Sequence, residues 1–338
     1  MTSSGTTRKK NWVRPEIDGK LLRKFSERSN INGILRIVYF LLLLAVGPAA
    51  ALLTYRISPP LAILSLYVYY FIYGFWVSIA HELQHKTVFA KSLDWFSEIL
   101  FFFVQTILWN SPRYARISHR LHHRYTMVRG IDPETQWPEV ITSKWLKKYL
   151  MSFILRILVV GAVFNLIIDV WTQIARIAGV KDRMMRDHCS AKDIVVIRIE
   201  SFGILITHTV IAFAAIYFGI WQLLLFVTIA WQIGMAIENL WHQTEHIGRL
   251  YNVNDQRLCT RSVHVSPFIK LIFWGLDDHV EHHIFPIVPS RNLPKLHKEL
   301  MDYVPDQKNI FACWKEMFAV AREKDRNPTG EFVPITET

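Results

Sequence analysis

The chain alternates long apolar blocks with polar, basic connectors. Residues 1 to about 32 are polar and carry Arg8, Lys9, Lys10, Arg14, Lys20, Arg23, Lys24 and Arg28. They predict a flexible tail and then a surface helix near a membrane. An apolar block runs from Ile37 to about Tyr55, near the roughly 20 residues that carry a helix across a bilayer. Arg56-Ile-Ser-Pro59-Pro60 ends it, because paired prolines stop helices. A second block, Leu61 to Ala80, runs straight into His81. Trp95 to Trp109 is apolar but short and contains Glu98 and Gln105, which predicts an interfacial or re-entrant helix. Phe153 to Trp171 is interrupted by Arg156, Asn165 and Asp169, and either crosses or lies flat. Val196–Phe218 and Trp221–Leu240 form another apolar hairpin around Gly219-Ile220, and its second arm runs into His242. A short run, Phe268 to Leu276, precedes a last polar third.

The composition agrees with membrane blocks: 51% of the 338 residues are hydrophobic and 13% aromatic. The net charge of +11 suggests cytoplasmic Lys and Arg. It also suits anionic lipid or an acidic redox partner. No DNA-binding motif or aromatic–basic interleaving is present, so nucleic acid is not an expected partner. Cys189, Cys259 and Cys313 form no C-x-x-C pair, which excludes a disulfide framework and a thiolate metal site. The N-terminal residues lack the apolar core of a cleaved signal peptide.

Ten of the 14 histidines fall in four clusters at the ends of apolar blocks. His81 and His85 are an H-x-x-x-H pair, as are His242 and His246. His119, His122 and His123 are spaced H-x-x-H-H, as are His279, His282 and His283. On a helix, positions three and four apart share a face. Imidazole is the commonest protein ligand for metals and suits iron, copper, nickel and zinc. Ten imidazoles are too many for one ion and about right for two that share them. A lone H-x-x-x-H is more often accident than ligand; four clusters in one chain reverse those odds.

Ligands of one centre must lie on one side of the membrane. An even number of crossings is therefore required between His123 and His242, so Phe153–Trp171 is expected not to cross fully. Both hairpin tips are short and carry only Arg56, while the basic connectors lie on the other side. The positive-inside rule then puts both termini and all four clusters in the cytoplasm. The expected fold is all-α: a multi-pass membrane protein with four transmembrane helices and a cytoplasmic helical cap carrying the histidines. Its parts are an N-terminal basic tail (1–36), a membrane domain (37–300) and a C-terminal tail (301–338).

Three stretches resemble the membrane-bound fatty acid desaturase and hydroxylase superfamily. They are His81-Glu-Leu-Gln-His85-Lys-Thr87, His119-Arg-Leu-His122-His123-Arg-Tyr-Thr126 and His279-Val-Glu-His282-His283-Ile-Phe285-Pro286. Leu293-Pro294-Lys-Leu296-His297 is similar to the acyl-lipid desaturase pattern. Thr244-Glu245-His246-Ile-Gly248 is similar to a metal-ligand segment of alkane hydroxylases. The resemblance implies two irons held by the histidines at the cytoplasmic end of a four-helix bundle. It also implies a lipid or acyl-chain substrate, with O2 as co-substrate. The membrane is the endoplasmic reticulum in a eukaryote or the cytoplasmic membrane in a bacterium.

The chemistry requires such a centre. An unactivated methylene C–H has no acidic proton, so acid–base groups cannot remove it, and zinc has no redox chemistry. No flavin or nicotinamide glycine fingerprint is present, and no His-Pro-Gly-Gly segment of a fused cytochrome b5. A separate, acidic donor is implied, cytochrome b5 or a ferredoxin, docked on the basic face. The leading expectation is double-bond insertion. The rivals are alkane or lipid hydroxylation with the same metals, and a non-enzymatic metal carrier or sensor. Some of Asp132, Glu134, Glu245, Asp277, Asp278 and Glu281 are expected to hold the second N–H of ligating imidazoles. Asn239 is a candidate for holding a metal-bound water and His264 for an extra ligand or gate. His208, inside an apolar span, is a functional candidate by its place; His188 and His297 read as structural or surface. An acyl chain is expected to enter between the helices that end in His81 and His242.

Overall fold

Proline and serine set the first turn of the fold. Ser29 caps α2 (Asn30–Tyr55), and the chain reverses so that Pro59 opens α3 (Pro59–Gly74) at its first helical position. The computed structural model describes residues 12–138 and 140–328. Arg8, Lys9 and Lys10 lie outside the described residues. Ahead of α2, Asp18 caps the short surface helix α1 (Gly19–Phe25), whose Phe25 is buried beside Val280, Ile284 and Leu293. After Phe75, α4 (Trp76–Gln84) continues α3 toward the histidines. Leu42, Val46, Leu53 and Leu64 stay exposed along the α2–α3 hairpin, the surface that lipid covers.

α5 (Asp94–Ile107) buries Phe101 and Val104 and exposes Trp95, Ile99, Phe102 and Phe103. That one-sided exposure suits an embedded helix that does not cross. α6 (Pro112–Tyr125) follows, capped by Ser111. The stretch expected as one segment at 153–171 is two helices, α7 (Ser143–Ile157) and α8 (Val159–Ile177), because Leu158 between them is extended. At the top of α7, Asp325 accepts from the Ser143 amide. At its foot, Tyr67 of α3 donates to the Ile157 carbonyl at 3.0 Å. α8 then runs back, and its end meets Arg198, whose Nε donates to Ile177 at 3.0 Å.

After α9 (Arg183–His188), a capping box of Ser190 and Asp193 starts α10 (Ala191–Tyr217). The chain turns at Gly219, whose φ is +66°, and returns through a π-helical segment, Leu224–Ile229, into α11 (Ala230–His242). Among the described residues, five helical stretches are long and apolar enough to cross a membrane: Asn30–Tyr55, Pro59–Gln84, Val159–Ile177, Ala191–Tyr217 and Leu224–Glu245. The sequence pattern predicts four; the fifth is α8.

α3 and α11 touch through their backbones. A Cβ on Gly74 would lie 2.3 Å from the Gly234 carbonyl oxygen, and one on Gly234 would lie 2.5 Å from that of Tyr70. The two helices pack backbone to backbone at that level. The polar cap adds α12 (Gln256–Cys259), α13 (Pro267–Ile272), α14 (His279–Ile284), α15 (Leu293–Glu299) and α16 (Ile310–Arg326). A two-residue parallel pair, Val263–His264 with Lys308–Asn309, ties α16 back to the segment before α13. Glu316 of α16 also meets the buried guanidiniums of Arg249 and Arg261, at 3.2 and 2.7 Å.

Candidate metal centre

Four short elements deliver the histidines. α4 presents His81 and ends at His85, α6 carries His119, His122 and His123, and α14 carries His279, His282 and His283. α11 ends at His242, and a 3-10 turn, Gln243–Glu245, follows before His246. These elements bring nine of the ten histidines into two groups. His81, His85, His119, His123 and His282 form one; His122, His246, His279 and His283 form the other.

The H-x-x-H-H spacing does something the sequence reading missed. On α6, His119 and His123 serve the first group and His122 the second. On α14 the roles are reversed: His282 serves the first group, His279 and His283 the second. Residues four apart stay on one site, and the residue beside the pair reaches over to the other.

Within the first group, Nε2 atoms approach one another at 2.6 Å (His81–His282), 2.8 Å (His85–His119), 3.0 Å (His119–His123) and 3.2 Å (His123–His282). In the second, His279 Nε2 lies 3.2 Å from that of His246 and 3.1 Å from that of His283. Metal–imidazole bonds of about 2.0–2.1 Å put ligand nitrogens at adjacent corners about 3 Å apart. Four of the nine far nitrogens have a hydrogen-bond partner. His122 Nδ1 donates to Asp132 at 3.0 Å, His119 Nδ1 lies 3.3 Å from Glu134, and His246 Nδ1 donates to the Cys259 carbonyl at 3.1 Å. His283 Nδ1 is 3.2 Å from the Thr126 hydroxyl. A neutral imidazole has one N–H, so where the far nitrogen donates it, as on His122 and His246, the inward nitrogen is left as a lone pair facing neighbouring rings. A shared cation resolves that repulsion, and the residues fit a metal.

Electrostatics favour the ligand form. Burial, and then the nearness of other imidazoles, pushes His85, His123, His279, His282 and His283 well below the usual histidine range. They stay neutral, as ligation requires. Burial works the same way on His122, but Asp132 and Glu134 outweigh it and raise that ring.

His242 stands outside both groups. Its Nδ1 is 3.0 Å from Glu245 and 3.8 Å from Glu238. The reason is local: the H-x-x-x-H argument assumes a continuing α-helix, and the 3-10 turn after His242 carries His246 to a different face. His264 is exposed on its strand. Asn239 is engaged within its own helix, donating to Met235 O at 2.8 Å and accepting from Gln243 at 2.9 Å. His208 stacks on Trp109 at 3.8 Å between centroids and is 3.0 Å from the Thr106 carbonyl, a packing role. Asp277 and Asp278 pair with Lys270 rather than with a histidine.

Glu281 is paired through His297, and Ser262 donates to it at 2.8 Å while its own hydroxyl accepts from the Val280 amide at 2.9 Å. Glu82, next to His81, accepts from the Ser290 amide at 3.2 Å and so ties α4 to the connector after α14. Sequence reading did not single out Ser262, Ser290, Cys259 or Thr126. Thr126 alone carried a signal, since it closes the second histidine stretch.

A small cavity touches both groups. It measures about 20 Å³, room for one water, and is lined by His81, His279, His242, Glu238 and Glu245. Its other walls are Val77, Ser78, Phe273 and Leu276.

A family model described as fatty acid desaturase matches residues 57–314. No curated protein matches the chain.

Proposed function

The chain belongs to the fatty acid desaturase family, membrane oxidoreductases that hold iron in histidine boxes, and on that premise we propose that it inserts a double bond into an acyl chain. The proposed centre has two irons, one held by His81, His85, His119, His123 and His282, the other by His122, His246, His279 and His283. The observation that carries this reading is the convergence of these nine inward imidazoles into two adjoining groups. Iron bound there supplies the redox chemistry with O2 that no side chain offers. Burial holds His85, His123, His279, His282 and His283 in their neutral form, and Asp132 and Glu134 fix the His122 and His119 rings. Val77, Phe273 and Leu276 keep the cavity beside the groups apolar on one side. Electrons come from a separate acidic donor such as cytochrome b5 or a ferredoxin.

We read four crossings, with the termini and the histidines in the cytoplasm. The α7–α8 hairpin supports this. Its turn meets Tyr67, fourteen residues or about 21 Å before His81 along α3–α4, while Ser143 meets Asp325 of α16 in the cap and Ile177 meets Arg198 near the start of α10. The protein is then a multi-pass protein of the endoplasmic reticulum if eukaryotic, or of the cytoplasmic membrane if bacterial.

The test is lipid mass spectrometry of a host that expresses the chain. Products two hydrogens lighter than the host's own acyl chains support desaturation. Products one oxygen heavier transfer the reading to hydroxylation, for which the Thr244–Gly248 segment speaks.

A further inference from the structure

The two groups are unequal: five imidazoles in one, four in the other. Beside the smaller group lies a buried carboxylate, Glu245. Glu245 is 1% exposed, and neither of its oxygens accepts a well-aligned hydrogen bond among the described residues. Burying a carboxylate is costly unless its oxygens are well satisfied.

The atom it approaches tells its role. Asp132 and Glu134 approach ligand rings from behind, at Nδ1. Glu245 Oε2 approaches His279 from the front, 3.2 Å from Nε2. That is the spacing His279 Nε2 keeps from His246 and His283, at 3.2 and 3.1 Å. Three atoms therefore surround the His279 nitrogen at the distance of adjacent ligand corners, and one of them is a carboxylate oxygen. On its other side Oε2 is 3.0 Å from His242 Nδ1. Both residues line the cavity that touches the two groups.

We infer that Glu245 is the fifth protein ligand of the second metal, and that His242 is a positioning residue that holds the Glu245 carboxylate. The inference rests on the two-iron reading above. It gives the second metal an anionic oxygen ligand where the first has only neutral nitrogens, so the two ions are chemically distinct. It also explains why the H-x-x-x-H pair of His242 and His246 delivers one ligand rather than two.

The test is iron counting and Mössbauer spectroscopy on purified, iron-loaded protein. Wild type is expected to bind two irons in two distinguishable environments. Glu245→Gln, which keeps the volume and loses the charge, should alter or empty one environment and leave the other unchanged. Glu245→Asp, which keeps the carboxylate, should retain both irons with the same environment shifted, and serves if the Gln variant does not fold. His242→Ala should retain both environments and lose about 10–100-fold in affinity for one iron, as expected when the partner of a ligand is removed. A Glu245→Gln protein with two irons and a wild-type spectrum overturns the inference alone. So does a His242→Ala protein that loses one environment while Glu245→Gln keeps both. Wild type that takes up no iron overturns the two-iron reading and this inference with it.

Discussion

The imidazole of His297 donates through Nδ1 to Glu281, a fully buried carboxylate between His279 and His282 on α14. The sequence offered His297 as a structural or surface residue. In the fold it joins α15 to the helix that carries three ligands. Replacing it by Ala leaves Glu281 with Ser262 as its remaining side-chain donor, a loss of about 1–3 kcal/mol for a buried group deprived of its partner. We expect His297→Ala to lower the melting temperature and weaken iron retention, and His188→Ala to do neither.

The same pair gives a pH dependence. The bond to Glu281 raises His297 above its ordinary value of 6.5. The folded chain therefore binds this proton more tightly than the unfolded one. The stabilisation is complete below 6.5 and is lost as pH rises through the raised folded value. Thermal unfolding measured from pH 6 upward, about the unperturbed histidine value, should show stability declining with pH, with a flatter profile in His297→Gln. Parallel profiles for the two proteins would refute the linkage.

Glu316 meets two buried arginines, Arg249 and Arg261. Burial works against its charge, but Arg261 and Arg249 prevail and hold its carboxyl down to about 2. Breaking a buried ion pair by removing one partner costs about 3–5 kcal/mol. Glu316→Gln should destabilise the chain by that order and loosen the second histidine group first, because Arg249 follows His246 by three residues. Chemical denaturation with iron counting along the curve checks both statements.

Topology is open to cysteine labelling in a background free of Cys189, Cys259 and Cys313. A cysteine at Gly219 should react only from outside the cytoplasm, and one at Lys181 only from the cytoplasm. One at Val160, beside the α7–α8 turn and 82% exposed to surrounding lipid, should resist impermeant reagents from both sides. Reaction at Val160 from the face opposite Lys181 would make α8 a fifth crossing.

If the proposed acyl substrate is oxidised beside the two groups, Val77, Ser78, Phe273 and Leu276 are the walls it meets. Changing the depth of such a pocket by one methylene is worth about 1–3 kcal/mol in discrimination. Val77→Phe and Phe273→Ala should therefore move the oxidised position or the accepted chain length in opposite senses. Equal rate losses for all chain lengths, with product position unchanged, would assign these residues to packing.

Helices, hairpins and nine inward histidines were legible because each leaves a periodic trace: apolar runs of bilayer length and imidazoles at i, i+3 and i+4. The break at Leu158 left none, since leucine is a good helix former and only the backbone records the turn. His242 lies apart from the two groups; spacing assumes one helix type, and the 3-10 turn was silent in the sequence. Ser262, Ser290 and Cys259 act through a hydroxyl or a carbonyl far away in the chain, and nothing local marks them. The Gly74–Gly234 contact joins residues from opposite halves of the chain, each unremarkable in its own helix.

In the proposed two-iron centre, the division of α6 and α14 between both groups turns the metals into cross-links. His123 and His282, 159 residues apart, meet in the first group. A link that closes a loop of that length removes unfolded-chain freedom worth about 5 kcal/mol. Two such staples, sharing the same pair of helices, bind the two halves of the chain as disulfides bind a secreted domain. Chelation then reaches beyond the active site: it unties α14 from α6, and the cap becomes the part of the protein that a protease finds first.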